Sequence, residues 1–465
     1  MVKRFKTLFN NLEIEKEFGN NRVNQWEGSS LSDVFFAKGG SDVCNGGKGA
    51  DGIDGGSGDD TIEGGSGDDE LYGGAGDDDI SGGAGKDKLY GDAGDDTLDG
   101  GSGADLISGG EGDDTANGGS GKDQVYGDAG DDNISGDSGN DFLDGGDGND
   151  FVSGNTGDDR MIGGLGDDTL DWDDGDGNDV MSGGEGRDTI EVDGSVSAGD
   201  NFVLNKAVDG RAFFERVGLN GQPVGRFNLL VDTAEVFDIS GDGGNDTLMI
   251  GDLLGTGVES IQFDGGEGND VLDGRNTTTH ITAIGGNGDD ILTGGTGTIT
   301  LINPATNLPI TLGDTLTGGG GKDKFQFLVD PFAGKPQTAN LNQPDVITDY
   351  ELGGIDQLVF GKQQFGISQL NFQKGEVTQL QDGNLLVLEG KFRNAGEAAQ
   401  AIAANNTITA EKGLFVYYNE TLGFSRVVHS TNLANGGAFS VQANLTNLTS
   451  ASFQSQFVEA DFALA

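Results

Sequence analysis

The chain of 465 residues is poor in cysteine, histidine and proline. Its one cysteine, Cys44, excludes an internal disulfide framework and any cysteine-rich zinc site. Its two histidines are His280 and His429, and we expect both to be structural or exposed rather than catalytic. All six prolines lie after residue 222, so no proline removes a hydrogen-bond donor from strands in the first part of the chain.

Positive charge and long apolar runs are also scarce. Only 26 basic residues oppose 79 acidic ones, which gives a formal net charge of −53. This balance excludes nucleic acid and argues against an anionic membrane as partner, because both would repel the chain, and it favours cations. No segment is long and apolar enough to span a membrane. Residues 1–19 contain no continuous apolar stretch, so we expect no signal peptide.

Motifs of common catalytic sites are missing as well. The sequence contains neither an HExxH zinc-protease motif nor a GxSxG nucleophile elbow. Three Gly-Lys-Asp steps resemble the end of a Walker motif, but aspartate stands where serine or threonine must hold Mg²⁺. We therefore expect a protein without enzymatic activity.

Glycine, in contrast, is abundant, with 88 residues, and much of it follows a nine-residue period. Fourteen consecutive nonamers occupy residues 46–171, with glycine at position 4, aspartate at position 6 and an apolar residue at position 8. The position-6 residues are Asp51, Asp60, Asp69, Asp78, Asp87, Asp96, Asp105, Asp114, Asp123, Asp132, Asp141, Asp150, Asp159 and Asp168.

Less regular copies extend the repeat in both directions. Degenerate units at 28–45 retain Asp33 and Asp42, and an insertion, Trp172-Asp173, precedes two further units. More widely spaced units follow after residue 241. The position-6 residues of the later units are Asp179, Asp188, Asp246, Asp270, Asp290 and Asp323.

The distribution of repeats divides the chain into five parts. These are an N-terminal lead segment (1–27), a regular repeat array (28–191), an irregular β insert or set of long coils (192–240), a second, irregular array (241–326) and a C-terminal cap and secretion module (327–465). In the last part, strand-like segments and one helix beginning after Asn394 indicate a small α+β module.

The nonamer predicts a coil of parallel β-structure. Its glycines allow the backbone to turn with positive φ, and its last three residues form a short strand whose middle side chain points inward. Two nonamers then make one coil of eighteen residues, and stacked coils bury a thin file of apolar residues between two sheets. Cys44, at the inward position 8, is expected to be a small core residue.

Stacking also places the position-6 aspartates in two files, one residue per coil. The bare carboxylates of such a file would repel one another. Ca²⁺ prefers six or more oxygen ligands, which carboxylates and glycine-loop carbonyls of successive coils can supply. The sequence therefore predicts Ca²⁺ between coils, with about a dozen ions in the main array.

These units, of the form GGxGxDxUx with U apolar, resemble the RTX (repeats-in-toxin, hemolysin-type) calcium-binding arrays. The resemblance is close over 46–191 and looser over 241–326. It implies a right-handed parallel β-roll or β-helix solenoid with Ca²⁺ between coils, followed by a small α+β cap. It also implies a ligand set for each ion, which on one step of this chain is Gly56, Gly58 and Asp60 with Gly73, Ala75 and Asp78.

The same resemblance implies export without an N-terminal signal, through type I secretion machinery that reads a C-terminal segment. The segment FQSQFVEADFALA is compatible with this role. Toxins and proteases of the family carry a large domain before the repeats, whereas here about 27 residues precede them.

Three functions are consistent with these features. We expect a secreted or cell-surface calcium-binding protein that serves as a structural, adhesion or motility-associated component, with a cell-surface polysaccharide or another surface protein as partner. The alternative is a secreted hydrolase or toxin whose activity resides in residues 360–465 or in a partner chain. A soluble calcium buffer is the third possibility, and it predicts no attachment to cells.

Overall fold

The computed structural model describes residues 15–217, 227–302, 309–329 and 341–465. The chain forms two compact units. The first comprises Met1–Asp193, Ala207–Arg216 and Pro223–Asp238, and the second comprises Gly194–Lys206, Val217–Gln222 and Ile239–Ala465. No helix in the described part of the chain is both long and apolar enough to cross a bilayer.

Two ladders of parallel strands make up the first unit. The first sheet contains Glu15–Phe18, Asp33–Phe36, Gly52–Asp54, Glu70–Ala75, Lys88–Ala93, Leu106–Glu111, Gln124–Ala129, Phe142–Asp147, Arg160–Leu165, Asn178–Glu185 and Phe227–Asp232. The second sheet contains Gln25–Glu27, Val43–Asn45, Thr61–Ser66, Asp79–Gly85, Thr97–Gly103, Thr115–Asn117, Ser120–Gly121, Asn133–Ser135, Ser138–Gly139, Phe151–Ser153, Thr169–Asp173 and Thr189–Asp193.

The pairing register confirms the coil of eighteen residues. In the first sheet Ile53 lies opposite Leu71, which lies opposite Leu89 on its other side. In the second sheet Ile62 pairs with Ile80, again eighteen residues on. Each coil therefore contributes one strand to each sheet, and the parallel β-roll predicted from the nonamers is the fold of this unit.

The apolar residues at position 8 form the core of the array. From Ile53 to Leu170 each of them is at most 1 % exposed, and Cys44 lies in the same file. Burial, together with the charges of Asp42 and Asp60, raises the pKa of the Cys44 thiol to about 12. Because each nonamer contributes only one such side chain, the core is a thin file between two sheets.

Glycine at position 4 is required by close approach of neighbouring coils. Gly67 has a φ of +139°, and a Cβ placed on it would lie 1.5 Å from the carbonyl oxygen of Gly49. A side chain is therefore excluded both by the backbone conformation and by the coil beneath it.

The array absorbs the insertion Trp172-Asp173 without losing its register. Met161 pairs with Met181, twenty residues on. Trp172 lengthens the strand Thr169–Asp173, and its side chain is buried, with 1 % exposed. The segment after Gly210 forms the expected hairpin, in which Ala212–Arg216 pairs antiparallel with Phe227–Asp232. Its turn, predicted at Asn220-Gly221, lies outside the described residues.

The second unit contains parallel coils of longer and variable length and, in its C-terminal part, three antiparallel strands, Gly413–Asn419, Phe424–Ser430 and Phe439–Leu445. One sheet contains Asn201–Lys206, Thr247–Ile250, Val271–Asp273, Ile291–Thr293, Lys324–Phe327, Gln357–Phe360 and Phe462–Leu464. The other contains Ser260–Asp264, His280–Asn287, Thr315–Gly320, Leu341–Ile347, Phe439–Leu445, Phe424–Ser430, Gly413–Asn419, Leu385–Phe392 and Phe372–Gly375. Strands Ile299–Ile302 and Pro309–Leu312 form a separate hairpin, and Val236–Ser240 contains the passage from the first unit to the second.

The C-terminal part of this unit has an ordinary hydrophobic core and short helices. The α-helices are Lys362–Phe365 and Ala395–Ala403, and the 3-10 helices are Val377–Gln379, Leu433–Asn435, Ala451–Gln456 and Glu459–Asp461. The side chain of Asn394 caps the helix at Ala395 by accepting a hydrogen bond of 2.9 Å from the Glu397 N–H. The Glu397 carboxylate accepts from the Arg393 N–H at 2.7 Å, one residue before the cap.

Candidate calcium sites

Each position-6 aspartate joins its own coil to the coil before it. Oδ1 of Asp78 accepts a hydrogen bond of 2.7 Å from the backbone N–H of Asp60, and Asp96 accepts in the same way from Asp78. The contact repeats along both files because the eighteen-residue coil returns each aspartate to the same place. The predicted files are therefore continuous chains of carboxylate-to-amide hydrogen bonds.

The two files extend from Asp33 to Asp188 in the first unit. One file contains Asp42, Asp60, Asp78, Asp96, Asp114, Asp132, Asp150, Asp168 and Asp188. The other contains Asp33, Asp51, Asp69, Asp87, Asp105, Asp123, Asp141, Asp159 and Asp179.

The second carboxylate oxygen of these residues is what points to a cation. Oδ2 is buried and accepts no hydrogen bond within the described part of the chain in Asp42, Asp51, Asp60, Asp69, Asp78, Asp87, Asp96, Asp105, Asp114, Asp123, Asp132, Asp141, Asp150, Asp159, Asp168, Asp179, Asp188, Asp270 and Asp290. A buried carboxylate oxygen without a donor costs free energy unless a proton or a cation compensates it. Each file thus supplies one uncompensated acceptor per coil.

Glycine at position 1 makes room for that oxygen. Oδ2 of Asp78 lies 2.3 Å from the place where a Cβ on Gly73 would stand, and Oδ2 of Asp60 lies at the same distance from a Cβ on Gly55. A larger residue at position 1 would occupy the space beside the carboxylate. The glycine loop therefore forms a cradle around each orphaned oxygen.

The six residues of the predicted ligand set lie together at one coil step. The Gly56 N–H donates to the Gly73 carbonyl at 2.8 Å, and the Gly58 N–H donates to the Ala75 carbonyl at 2.7 Å. The Ala75 N–H donates back to the Gly56 carbonyl at 3.1 Å. Each carbonyl has a second lone pair, so these hydrogen bonds leave it able to bind a cation. Carboxylate and carbonyl oxygens in this number are the donors that Ca²⁺ prefers, and the residues present fit the ion.

The electrostatics of the files lead to the same conclusion. Burial, assisted by the charges of neighbouring aspartates and opposed by the backbone N–H, raises the pKa of Asp69 and of Asp87 to about 7 and that of Asp179 to about 8. At neutral pH these carboxylates are held near the point at which they take up a proton. A divalent cation bound to these carboxylates would offset the free-energy cost of burying their negative charge, as a proton does.

In the second unit the later predicted residues form a file of their own. Asp246, Asp270, Asp290 and Asp323 are linked by the same contacts, at 2.7, 2.8 and 3.0 Å. The same kind of hydrogen bond adds one aspartate to each end of this file. Asp200 precedes Asp246, and Asp356 follows Asp323.

Several residues of the files were not predicted from the repeat. Asp314 accepts from the Ile281 N–H at 2.8 Å, Asp345 accepts from Asp314 at 2.9 Å, and Glu235 accepts from Asp188 at 2.9 Å in the first unit. A shorter sequence pattern, aspartate followed two residues later by an apolar residue, would have found the aspartates among them. In Asp200, Asp314, Asp345 and Asp356 the aspartate is followed two residues later by a buried apolar side chain, as in every nonamer.

Comparison with protein families decides what these loops are. Residues 19–170, in overlapping stretches, and 173–194, 262–276 and 282–298 match the RTX calcium-binding nonapeptide repeat (4 copies). The repeats are RTX calcium-binding repeats. The resemblance stated from the nonamers is confirmed, and the RTX matches cover both the regular array and part of the irregular one. Comparison with curated proteins finds no match.

The RTX repeats bind calcium, and the orphaned carboxylate oxygens lie where the nonamer places position 6. The individual ligands and the number of ions stay predictions. Among them, the carbonyl ligands of positions 1 to 4 follow from the family, whereas the carboxylate ligands also follow from the burial of Oδ2 in this chain.

Proposed function

We propose that this RTX repeat protein is secreted, folds outside the cell when calcium binds, and serves as a non-enzymatic component of the cell surface. One observation carries the proposal, namely the buried and unpaired Oδ2 atom repeated along both aspartate files. In a cytosol with little free calcium these carboxylates repel one another and keep the chain open. Millimolar calcium outside the cell drives folding by mass action.

Export through type I machinery is part of this proposal, and the C-terminal segment supports it. Phe462–Leu464 pairs in parallel with Gln357–Phe360, and Asp461 is fully buried. The carboxylate of Asp461 accepts hydrogen bonds from the N–H groups of Gly354 and Val458. A segment held in this way is accessible to a transporter only before the module folds, which agrees with export of an open chain.

The absence of catalysis is also proposed, and the buried state of His429 supports it. The ring of His429 is 1 % exposed and packs edge-on against Phe365, with centroids 4.8 Å apart. Burial and the neighbouring Lys412 lower the pKa of His429 to about 4. A histidine in this state is out of reach of a substrate, and at neutral pH its ring is neutral rather than the cation that acts as a general acid.

Calcium-dependent folding is tested by circular dichroism and small-angle scattering on the full chain in EDTA and in millimolar Ca²⁺. We expect an expanded chain with little strand signal in EDTA and a compact, strand-rich protein in calcium. Mg²⁺ at the same concentration serves as the control and should restore much less structure, because it demands a smaller octahedral site and keeps its waters. Equal compactness in EDTA and in calcium would refute the proposal.

The location and the lack of activity need a second experiment. Producing cells are fractionated with and without chelator, and the protein should be cell-bound in calcium and released by the chelator. Protein found only inside cells would contradict export, and protein found only free in the medium would favour a calcium buffer. Reproducible turnover of a glycan, ester or peptide substrate, abolished by a point change, would establish the hydrolase alternative instead.

A further inference from the structure

The two kinds of nonamer in the regular array differ in charge. All five basic residues of 46–171 lie in nonamers that end in strands of the first sheet, namely Lys48, Lys86, Lys88, Lys122 and Arg160. Apart from position 6, these nonamers carry six acidic residues, whereas the nonamers that end in the second sheet carry 14 acidic residues and no basic one. The difference lies in the turns: position 5, just before the strand, carries two aspartates and two lysines in the first-sheet nonamers but six aspartates in the second-sheet nonamers. The strands of both sheets carry acidic residues, among them Asp92, Glu111 and Asp128 in the first sheet.

Aromatic residues follow the same division. Tyr72, Tyr90, Tyr126 and Phe142 stand in first-sheet nonamers at positions 7 and 9, on the face opposite the core, and Phe151 is the single aromatic residue in the second-sheet nonamers. Such a separation does not follow from folding, because positions 7 and 9 point away from the core in both sheets. It distinguishes one outer surface of the array from the other.

A groove of 640 Å³ lies on this surface. Tyr126 and Phe142 stand side by side in it, with ring centroids 5.7 Å apart, and the Arg160 guanidinium lies over the Phe142 ring at 5.2 Å. Gln124 and Asn140 line the groove beside the rings. It therefore spans successive coils of the first sheet, with predicted calcium ligands in one wall.

The polar rim of the groove is held in place. The side-chain amide of Asn178 donates to Asp158 at 2.9 Å, and the Asn178 N–H donates to the same carboxylate oxygen at 3.1 Å. Fixed amide and carboxylate groups around aromatic rings combine apolar contact with directed hydrogen bonds. This is the chemistry that a sugar ring requires, since its faces are apolar and its edge carries hydroxyl groups.

We propose that this groove and the adjoining outer face of the first sheet bind an extended, uncharged polysaccharide laid across successive coils. The coils repeat at about 4.8 Å, so a chain of repeating sugars laid across them meets an aromatic side chain on four of the seven first-sheet strands of 46–171, at Tyr72, Tyr90, Tyr126 and Phe142. Charge excludes polyanions as the ligand, because the protein has a net charge of −53 and four aspartates line the groove against two basic residues. A second copy of the chain fits less well, because the core of a protein interface is depleted of charged residues, and here charged and amide side chains line the groove together with the rings.

This inference rests on the proposed role at the cell surface and names its ligand class. The test uses the full chain loaded with calcium, in affinity electrophoresis against soluble dextran, galactomannan and β-glucan, with alginate and polygalacturonate as anionic probes. We expect retardation by at least one neutral polysaccharide. The double variant Tyr126→Ala/Phe142→Ala should weaken binding by about tenfold or more.

Phe151→Ala is the matched control, since it removes an outward aromatic residue from the second sheet and should leave binding unchanged. Gln124→Ala provides a second variant that keeps both rings and should weaken binding severalfold. Circular dichroism in calcium must show the wild-type strand content in each variant, which separates loss of binding from loss of calcium-dependent folding.

Three outcomes would overturn the inference. The first is retardation by none of the neutral polysaccharides while calcium-dependent folding is intact. The second is retardation only by alginate or polygalacturonate, which would assign the face to polyanions. The third is a calcium-loaded dimer in sedimentation that the double variant converts to monomer, which would make the face a contact between copies. In each case calcium-dependent folding and cell attachment would still stand or fall by their own experiments.

Discussion

The backbone N–H of Asp78 donates a hydrogen bond of 2.7 Å to Oδ1 of Asp96, eighteen residues further along the chain. This contact satisfies one oxygen of Asp96 and leaves the other buried without a donor in the described residues. A single carboxylate thus joins two coils and at the same time presents an acceptor that only a proton or a cation can compensate. Folding of the array and calcium binding are coupled because the same carboxylate takes part in both.

Replacing one carboxylate in the file should weaken calcium-driven folding. We expect Asp96→Asn to keep the contact with the Asp78 N–H but to lose the charge, and to destabilise the calcium-loaded array by about 1–3 kcal/mol. Asp95→Asn is the control, because Asp95 is the exposed neighbour, and its change should stay within about 0.5 kcal/mol. Calcium titrations followed by circular dichroism measure both. Equal midpoints for the two variants would show that the file does not bind the ion.

Acidification should stabilise the array when calcium is absent. Burial raises the pKa of Asp87 from 3.8 to about 7, so the folded state binds more protons than the unfolded state between these values. The contribution to stability is present in full below pH 3.8 and is lost as the pH rises through 7. In EDTA, strand signal should therefore grow as the pH falls from about 8 to about 5.

In calcium the effect of pH on the stability of the array is reversed, because protons and Ca²⁺ compete for the same carboxylate oxygens. The calcium midpoint should move to higher concentration as the pH falls over the same range. Strand content in EDTA that increases with pH would contradict this account of the buried aspartates.

Glycine at position 4 should be irreplaceable where coils touch. Gly67→Ala places a Cβ 1.5 Å from the Gly49 carbonyl oxygen in addition to forcing a residue with a side chain into a φ of +139°. Gly175→Ala is matched in conformation, with a φ of +115°, but meets nothing within 4 Å. We expect about 1–2 kcal/mol of destabilisation at Gly175 and clearly more at Gly67. Thermal unfolding in calcium measures both, and similar midpoints would rule out close approach as the reason for the glycine.

Asp461 should stabilise the attachment of the C-terminal strand. Its carboxylate accepts from the N–H groups of Gly354 and Val458, so Asp461→Ala removes two hydrogen bonds from partly buried donors. We expect a loss of about 0.5–1.5 kcal/mol per hydrogen bond and faster proteolysis after Phe457 in calcium. Glu459→Gln changes an exposed acid two residues away and serves as the control. Unchanged protease resistance of the Asp461 variant would show that the strand is held by other contacts.

The repeat alone determined the coil, the parallel sheets and the two aspartate files of the first unit. A period of eighteen residues returns position 6 to the same place in every coil, so Asp60 and Asp78 must meet wherever the nonamer is unbroken. The insertion Trp172-Asp173 did not break the files, because its two residues extend a strand and the next coil returns to register at Met181.

Only the tertiary structure decided which residues continue the files once the period is lost. Asp200 pairs with Asp246 across 46 residues, and Asp314 receives the Ile281 N–H across 33. Sequence spacing has no fixed value there, because a loop between two coils can vary in length while the strands that flank it keep their register. The concentration of aromatic residues on the outer face of the first sheet, and the different charge of the turns that lead into the two sheets, likewise became visible only when alternate nonamers were assigned to different sheets.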